Sequence, residues 1–162
     1  MRLFVLALLT LYSLTVGAQD MNTAKSDCET LLNAAMPLAK QLLQKYGEFL
    51  PYGAAIKRDG KIASIAGYDG REQPPSNDVI KILKQAFIQG AKSQEYKATA
   101  LVYDVRVTSP STKQKTDAIA IALNHRDSYS VVVFFPYQLA SGHLEFGETF
   151  AQKGDADIFK NE

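Results

Sequence analysis

Residues 117–137, DAIAIALNHRDSYSVVVFFPY, constrain the fold more than any other stretch of the chain. Two apolar runs with period-two alternation flank a polar hexapeptide, the pattern of two adjacent strands joined by a turn. In the first run Ile119, Ile121 and Leu123 share one side, and Ala118, Ala120 and Ala122 share the other. The second run is apolar on both sides, as an inner strand requires. With the turn within residues 124–130, Leu123 faces Val131, Ile121 faces Val133 and Ile119 faces Phe135, so three apolar cross-strand pairs stack on one face. The alanine row shares the opposite face with Val132 and Phe134, and its small side chains leave room for a helix to lie close.

The segments before this unit have a different period. Ser26-x-x-Glu29 has capping-box spacing, and Leu31, Leu32, Ala35, Leu38, Ala39, Leu42, Leu43 and Tyr46 follow as a helical stripe. Pro37 predicts a kink or break there, and Gly47 a stop. Asp59-Gly60 predicts a tight hairpin between two short strands, with positive φ at both central positions. A polar linker over 70–77 leads to a second helix, capped by Ser76 or Asn77, with its stripe on Val79 or Ile80, Leu83, Ala86, Phe87, Gly90 and Ala91. Residues 98–107, ATALVYDVRV, alternate again as a strand. HLEFGETF, residues 143–150, reads as a fourth strand with Leu144, Phe146 and Phe150 on one side, and residues 157–159 offer a last edge contact. The expected class is α+β: two helices, one per face, packed on an antiparallel sheet of about five to six strands, in the order helix, hairpin, helix, four-strand meander.

The N-terminus reads as a secretory signal. Arg2 supplies the basic end, Leu3 to Leu14 an apolar stretch, and Val16-Gly17-Ala18 small residues for cleavage. The expected division is a signal peptide over 1–18 and a single domain over 19–162, periplasmic or secreted, with no stable membrane insertion after cleavage. Removing residues 1–18 takes away Arg2 and no acid, leaving 17 basic and 17 acidic residues. That balance offers no electrostatic footprint for nucleic acid. Cys28, the single cysteine, cannot form an internal disulfide and reads as a small, partly buried helix side chain.

His125-Arg126-Asp127 is the core of the kinase catalytic loop, but the position five after the aspartate is Val132, where a kinase has asparagine. A glycine-rich phosphate loop and Asp-Phe-Gly are also missing from the sequence. The tripeptide reads as a hairpin turn, rich in residues that bond their own backbone. His125 and His143 are expected at the surface, and replacing His125 is expected to leave the fold intact. Two site constellations stay open. A metal could be held by His125, His143 and Glu145, or by Glu148 in place of Glu145. A small hydrolase or metal-dependent enzyme could use His125, Asp127 and Glu145 or Glu148. A third candidate is a ligand pocket at Asp104 and Arg106, expected as half-buried charges on the alanine face. No cofactor is implied.

The segments PYGAAIKRDGKI, ALVYDVRV, DAIAIALNHRDSYSVVVFFPY and FGETFA resemble a pattern recurring in small bacterial proteins without an assigned activity. The resemblance implies a bacterial origin and one compact domain. The element order is also similar to roadblock, longin and profilin-like domains, which implies an interaction platform. The resulting expectation is a non-enzymatic binding module for a protein or peptide partner, with an inhibitor- or immunity-type role as one form.

Overall fold

The computed structural model describes the backbone of residues 13–160 and the side chains of residues 18–160. Of the segment read as a signal, residues 1–12 lie outside the described residues, and Ser13 begins the first helix. The elements are α1 (Ser13–Tyr46), β1 (Tyr52–Lys57), β2 (Ile62–Ala66), α2 (Ser76–Lys92), β3 (Tyr96–Thr108), β4 (Lys115–His125), β5 (Ser130–Ala140), β6 (His143–Phe146) and β7 (Phe150–Lys153). The class is α+β, with two helices on an antiparallel sheet of seven strands. The path is β2-β1-β3-β4-β5-β6, and β7 pairs with β5 beside β6.

The register of β4 and β5 is the one read from the sequence: Leu123 opposite Val131, Ile121 opposite Val133, Ile119 opposite Phe135. These residues face α1, whose buried stripe is Ala24, Cys28, Leu31, Ala35, Ala39 and Leu43. α2 covers the other face through Val79, Leu83 and Phe87, which pack with Leu101. It lies over β1 and β3 and reaches only Ala122 of the alanine row. Gly53 of β1 makes this possible, because a Cβ there would overlap the Phe87 ring. Ala118 and Ala120 are instead enclosed beneath Tyr103, Val105 and Phe134 from the flanking strands.

Several local expectations change. Ser26 is interior to α1 and does not cap it, since the Thr30 hydroxyl donates to the Ser26 carbonyl at 2.9 Å. No glycine or proline separates Ala18 from Met36, so nothing interrupts the helix before the stripe. α1 is also continuous through Pro37, which deletes only the donor to the Asn33 carbonyl. α2 has no side-chain cap; the Pro75 carbonyl accepts from the amides of Asp78 and Val79. Asp59-Gly60 belongs to a three-residue loop in which only Gly60 has positive φ. The tight turn with two positive φ values occurs at Ser141-Gly142, between Ala140 and His143. The expected single strand over 143–150 is two strands, broken at residues 147–149. Leu144 and Phe146 face α1, while Phe150 lies on the opposite face opposite Phe134.

Candidate functional site

β4 ends at His125 and β5 starts at Ser130, with Arg126, Asp127, Ser128 and Tyr129 between them. Ser128 has φ of 61°, and the His125 amide donates to the Tyr129 carbonyl at 2.8 Å. His125 follows Leu123 on the α1 face, so its side chain points inward. Only 3% of the residue is exposed, contrary to the expected surface placement. The Asp127 amide donates to Nδ1 at 3.1 Å, which leaves Nε2 carrying the proton toward Asp27 Oδ2, also at 3.1 Å. Lys97 Nζ reaches the same Asp27 oxygen at 2.8 Å. Asp27 from α1, Lys97 from β3 and His125 from β4 thus form one partly buried polar cluster.

This geometry can brace three elements. It gives His125 no free nitrogen for proton transfer, because both ring nitrogens are engaged and the ring is shielded from solvent. Beside it, the Cys28 thiol is 1% exposed. Burial, followed by the negative charges of Asp27 and Glu29, pushes its pKa up to about 12, far from a reactive thiolate.

Of the proposed partners, the structure brings Asp127 beside His125, its carboxylate 3.4 Å from Nδ1, but not His143, Glu145 or Glu148. His143 and Glu145 pair with each other at 3.5 Å on the exposed β5–β6 hairpin. Glu145 lies opposite Gln138, at the far end of β5 from His125 and roughly 26 Å along the strand from Ser130 at the strand rise. Glu148 lies in the loop after β6, at the same end. Among the described residues no three His, Cys, Asp or Glu side chains converge to hold a metal ion.

Asp104 and Arg106 also lie elsewhere than expected. Asp104 is opposite Ile119 and Arg106 opposite Asp117, so both are on the α1 side of the sheet, and both are exposed. The Tyr137 hydroxyl donates to Asp104 Oδ1 at 3.0 Å. Partial desolvation raises the Asp104 carboxyl above its usual range, and the bond from Tyr137 pulls it back. Arg106 reaches Asp117 at 3.8 Å, a contact of two exposed groups. A cavity of about 190 Å³ does exist on the alanine face, between α2, the sheet and the C-terminal segment, without either residue. Its polar end is Thr99, Asn124 and Ser130, one from each of three neighbouring strands.

The two edges of the sheet differ. The outer side of β5 is covered by β7 along Val131–Phe134 and by β6 along Tyr137–Ala140. Those covering strands are four residues each and carry His143, Glu145 and Lys153, the shortness and charge that blunt an edge. β2 has no strand on its outer side among the described residues. The Lys57 amide donates to the Lys61 carbonyl at 2.9 Å, and alternation from that pair turns the backbone groups of Ile62, Ser64 and Ala66 outward. No charge or proline lies between Ile62 and Gly67, and Ile62 and Tyr68 are 44% and 73% exposed.

No protein-family model, curated protein or solved structure matches the chain.

Asp27, Lys97, Thr99 and Ser130 were not legible as site residues in the sequence. Asp27 and His125 are 98 positions apart, and no local spacing connects them.

Proposed function

We propose that this chain is an exported, non-enzymatic binding module that accepts an extended segment of a partner protein as an added strand along β2. The observation that carries this reading is the open β2 edge. Three residues direct amide and carbonyl groups outward, and among the described residues none of the charges, prolines or covering strands that protect edge strands lies along them. Apolar Ile62 beside the edge would give a partner strand side-chain contact as well as backbone bonds. Export is supported by the basic, apolar and small-residue succession of residues 1–18. The engaged nitrogens of His125 and the separation of Glu145 and Glu148 from it favour binding over hydrolysis.

The test is site-specific photocrosslinking in cells that export the full chain, with the probe at Ser64 and, as control, at Glu145. A discrete adduct from position 64, missing from position 145 and lost when Ala66→Pro is added to the probe-bearing chain, is the expected result. Proline at 66 removes an outward amide and leaves pairing with β1 intact. An adduct at the mass of two copies would identify a second copy of this chain as the added strand. Equal crosslinking from both positions, or none from 64, overturns the proposal. Mass spectrometry of the exported protein tests the leader separately, with an N-terminus near Gln19 expected.

A further inference from the structure

The cavity beneath α2 is independent of the β2 edge and has the makings of a site of its own. Leu101, Ala122 and Val132 line it from the sheet, and Ile80 and Phe87 from α2. At one end Thr99 and Asn124 sit opposite each other on β3 and β4. They are 1% and 8% exposed. The Asn124 carboxamide oxygen accepts from the Ser130 hydroxyl at 3.1 Å, and Ser130 Oγ accepts from the Ala156 amide at 3.1 Å. This bond and the close seat of Gly154 on Ser130 draw the C-terminal segment across the sheet to close the cavity's side.

The Asn124 amide nitrogen and the Thr99 hydroxyl bond to no protein group among the described residues. No fully buried side-chain nitrogen or oxygen there lacks a partner, so these two atoms are not sealed in. Both residues line the cavity, which is therefore the space they open to. The mouth is charged: Lys84 Nζ pairs with Asp157 Oδ2 at 2.6 Å, and Asp155 is exposed beside it. One cation against two carboxylates disfavours an anionic ligand.

We propose that this cavity binds a small uncharged carbonyl compound with a compact apolar body, the carbonyl oxygen accepting from Asn124 Nδ2 and the Thr99 hydroxyl. Size supports the class. An apolar cavity of about 150 Å³ holds one benzene-sized ring, and about 190 Å³ here adds room for a short polar group. The apolar walls take the body, and the two unpartnered donors replace the water bonds that the carbonyl gives up on burial.

Titration of the isotope-labelled protein with benzamide, benzoate and toluene, followed by NMR, tests this directly. Benzamide is expected to give saturable shifts confined to Thr99, Leu101, Ala122, Asn124 and Val132, with benzoate at least about ten-fold weaker because of the carboxylates at the mouth. Thr99→Val, close to isosteric, should weaken benzamide about 3- to 10-fold, the worth of one hydrogen bond, and leave toluene unchanged. Ala122→Leu should fill the space and abolish binding of both, with an unchanged spectrum for α1 reporting an intact fold. Shifts that fail to saturate or scatter outside the cavity overturn the site. Benzoate binding as tightly as benzamide, or unchanged benzamide affinity in Thr99→Val, overturns the ligand class.

Discussion

The chain's two histidines stand at similar places in the sequence and in opposite physical settings. His125 closes β4 and His143 opens β6, each beside a short hairpin loop. His125 is 3% exposed and joined to Asp27 of α1, whereas the His143 side chain is 76% exposed and pairs with a neighbouring carboxylate on its own hairpin. The difference comes from what lies over each strand end. α1 supplies the Asp27 carboxylate at the β4–β5 turn, while at the β5–β6 turn, where Gln44 of α1 lies near Gly142, His143 is on the opposite face from Leu144 and away from the helix. A strand-end histidine is thus a structural strut or a surface group according to the element packed on its face, which local sequence does not encode.

The sharpest way to break this contrast is His125→Ala. It would leave the Asp127 amide without its acceptor, loosen Asp27 and open a void against α1. The expected loss is about 2–4 kcal/mol, combining a cavity with broken buried hydrogen bonds. Urea unfolding with an unchanged m-value would measure it. A loss under about 0.5 kcal/mol, the range of ordinary surface substitutions, would return His125 to the class of His143.

Asp27→Ala should come next, at about 1–2 kcal/mol, because it removes one acceptor shared by Lys97 and His125. Combined with His125→Ala in a double-mutant cycle it should show a coupling of at least about 0.5 kcal/mol, and with His143→Ala none. Cys28 gives an independent reading of the same brace. Its buried thiol, with pKa near 12, should resist alkylation in the native protein and react on unfolding. Either substitution should speed native labelling by loosening α1. Labelling that stays as slow as in the wild type would show that the polar cluster does not hold this part of the helix.

What the sequence disclosed follows from which forces act locally. The β4–β5 register was legible because Ile119, Ile121 and Leu123 must meet apolar partners across a short turn, and a one-residue slip would turn them outward. The two helices were legible from their periodicity, and the α+β class from the change of period. The face of Asp104 was not, because it depends on how β3 meets β4 across the Ser109–Gln114 loop. The pairing Thr108 with Lys115 puts Asp104 opposite Ile119, and a shift of one residue would have reversed it. The burial of His125 was hidden for a related reason. Its partner Asp27 is on α1, 98 positions away, and nothing in the helical pattern says which helix residue lies over which strand end.

Asp104 probes how far burial on the α1 face extends toward the other end of β3. Its folded pKa is raised, so the folded state binds a proton more tightly than the unfolded chain. Stability should therefore fall as pH rises from the ordinary carboxylate range, about 4, through the raised folded value. Asp104→Asn keeps an acceptor for Tyr137 and removes this titration. Denaturant midpoints for the two proteins should coincide below about pH 4 and separate above it, with the variant the more stable. The reverse order at neutral pH would mean that the Tyr137 bond outweighs desolvation and that the carboxylate is held in the native state.

The smallest expected effect is at His143. Its side chain and that of Glu145 are 76% and 72% exposed, so their 3.5 Å contact is screened and holds two mobile side chains for little gain. The turn beside it is fixed by Ser141 and Gly142, whose positive φ values make a tight two-residue connection without help from His143. His143→Ala should therefore shift the unfolding midpoint by less than about 0.5 kcal/mol, and metal titration should leave its ring signals unmoved at stoichiometric zinc. A larger loss would mean that the β5–β6 hairpin depends on the His143–Glu145 contact. It would also mean that exposure alone does not separate the two histidines, leaving coupling to α1 as the property that does.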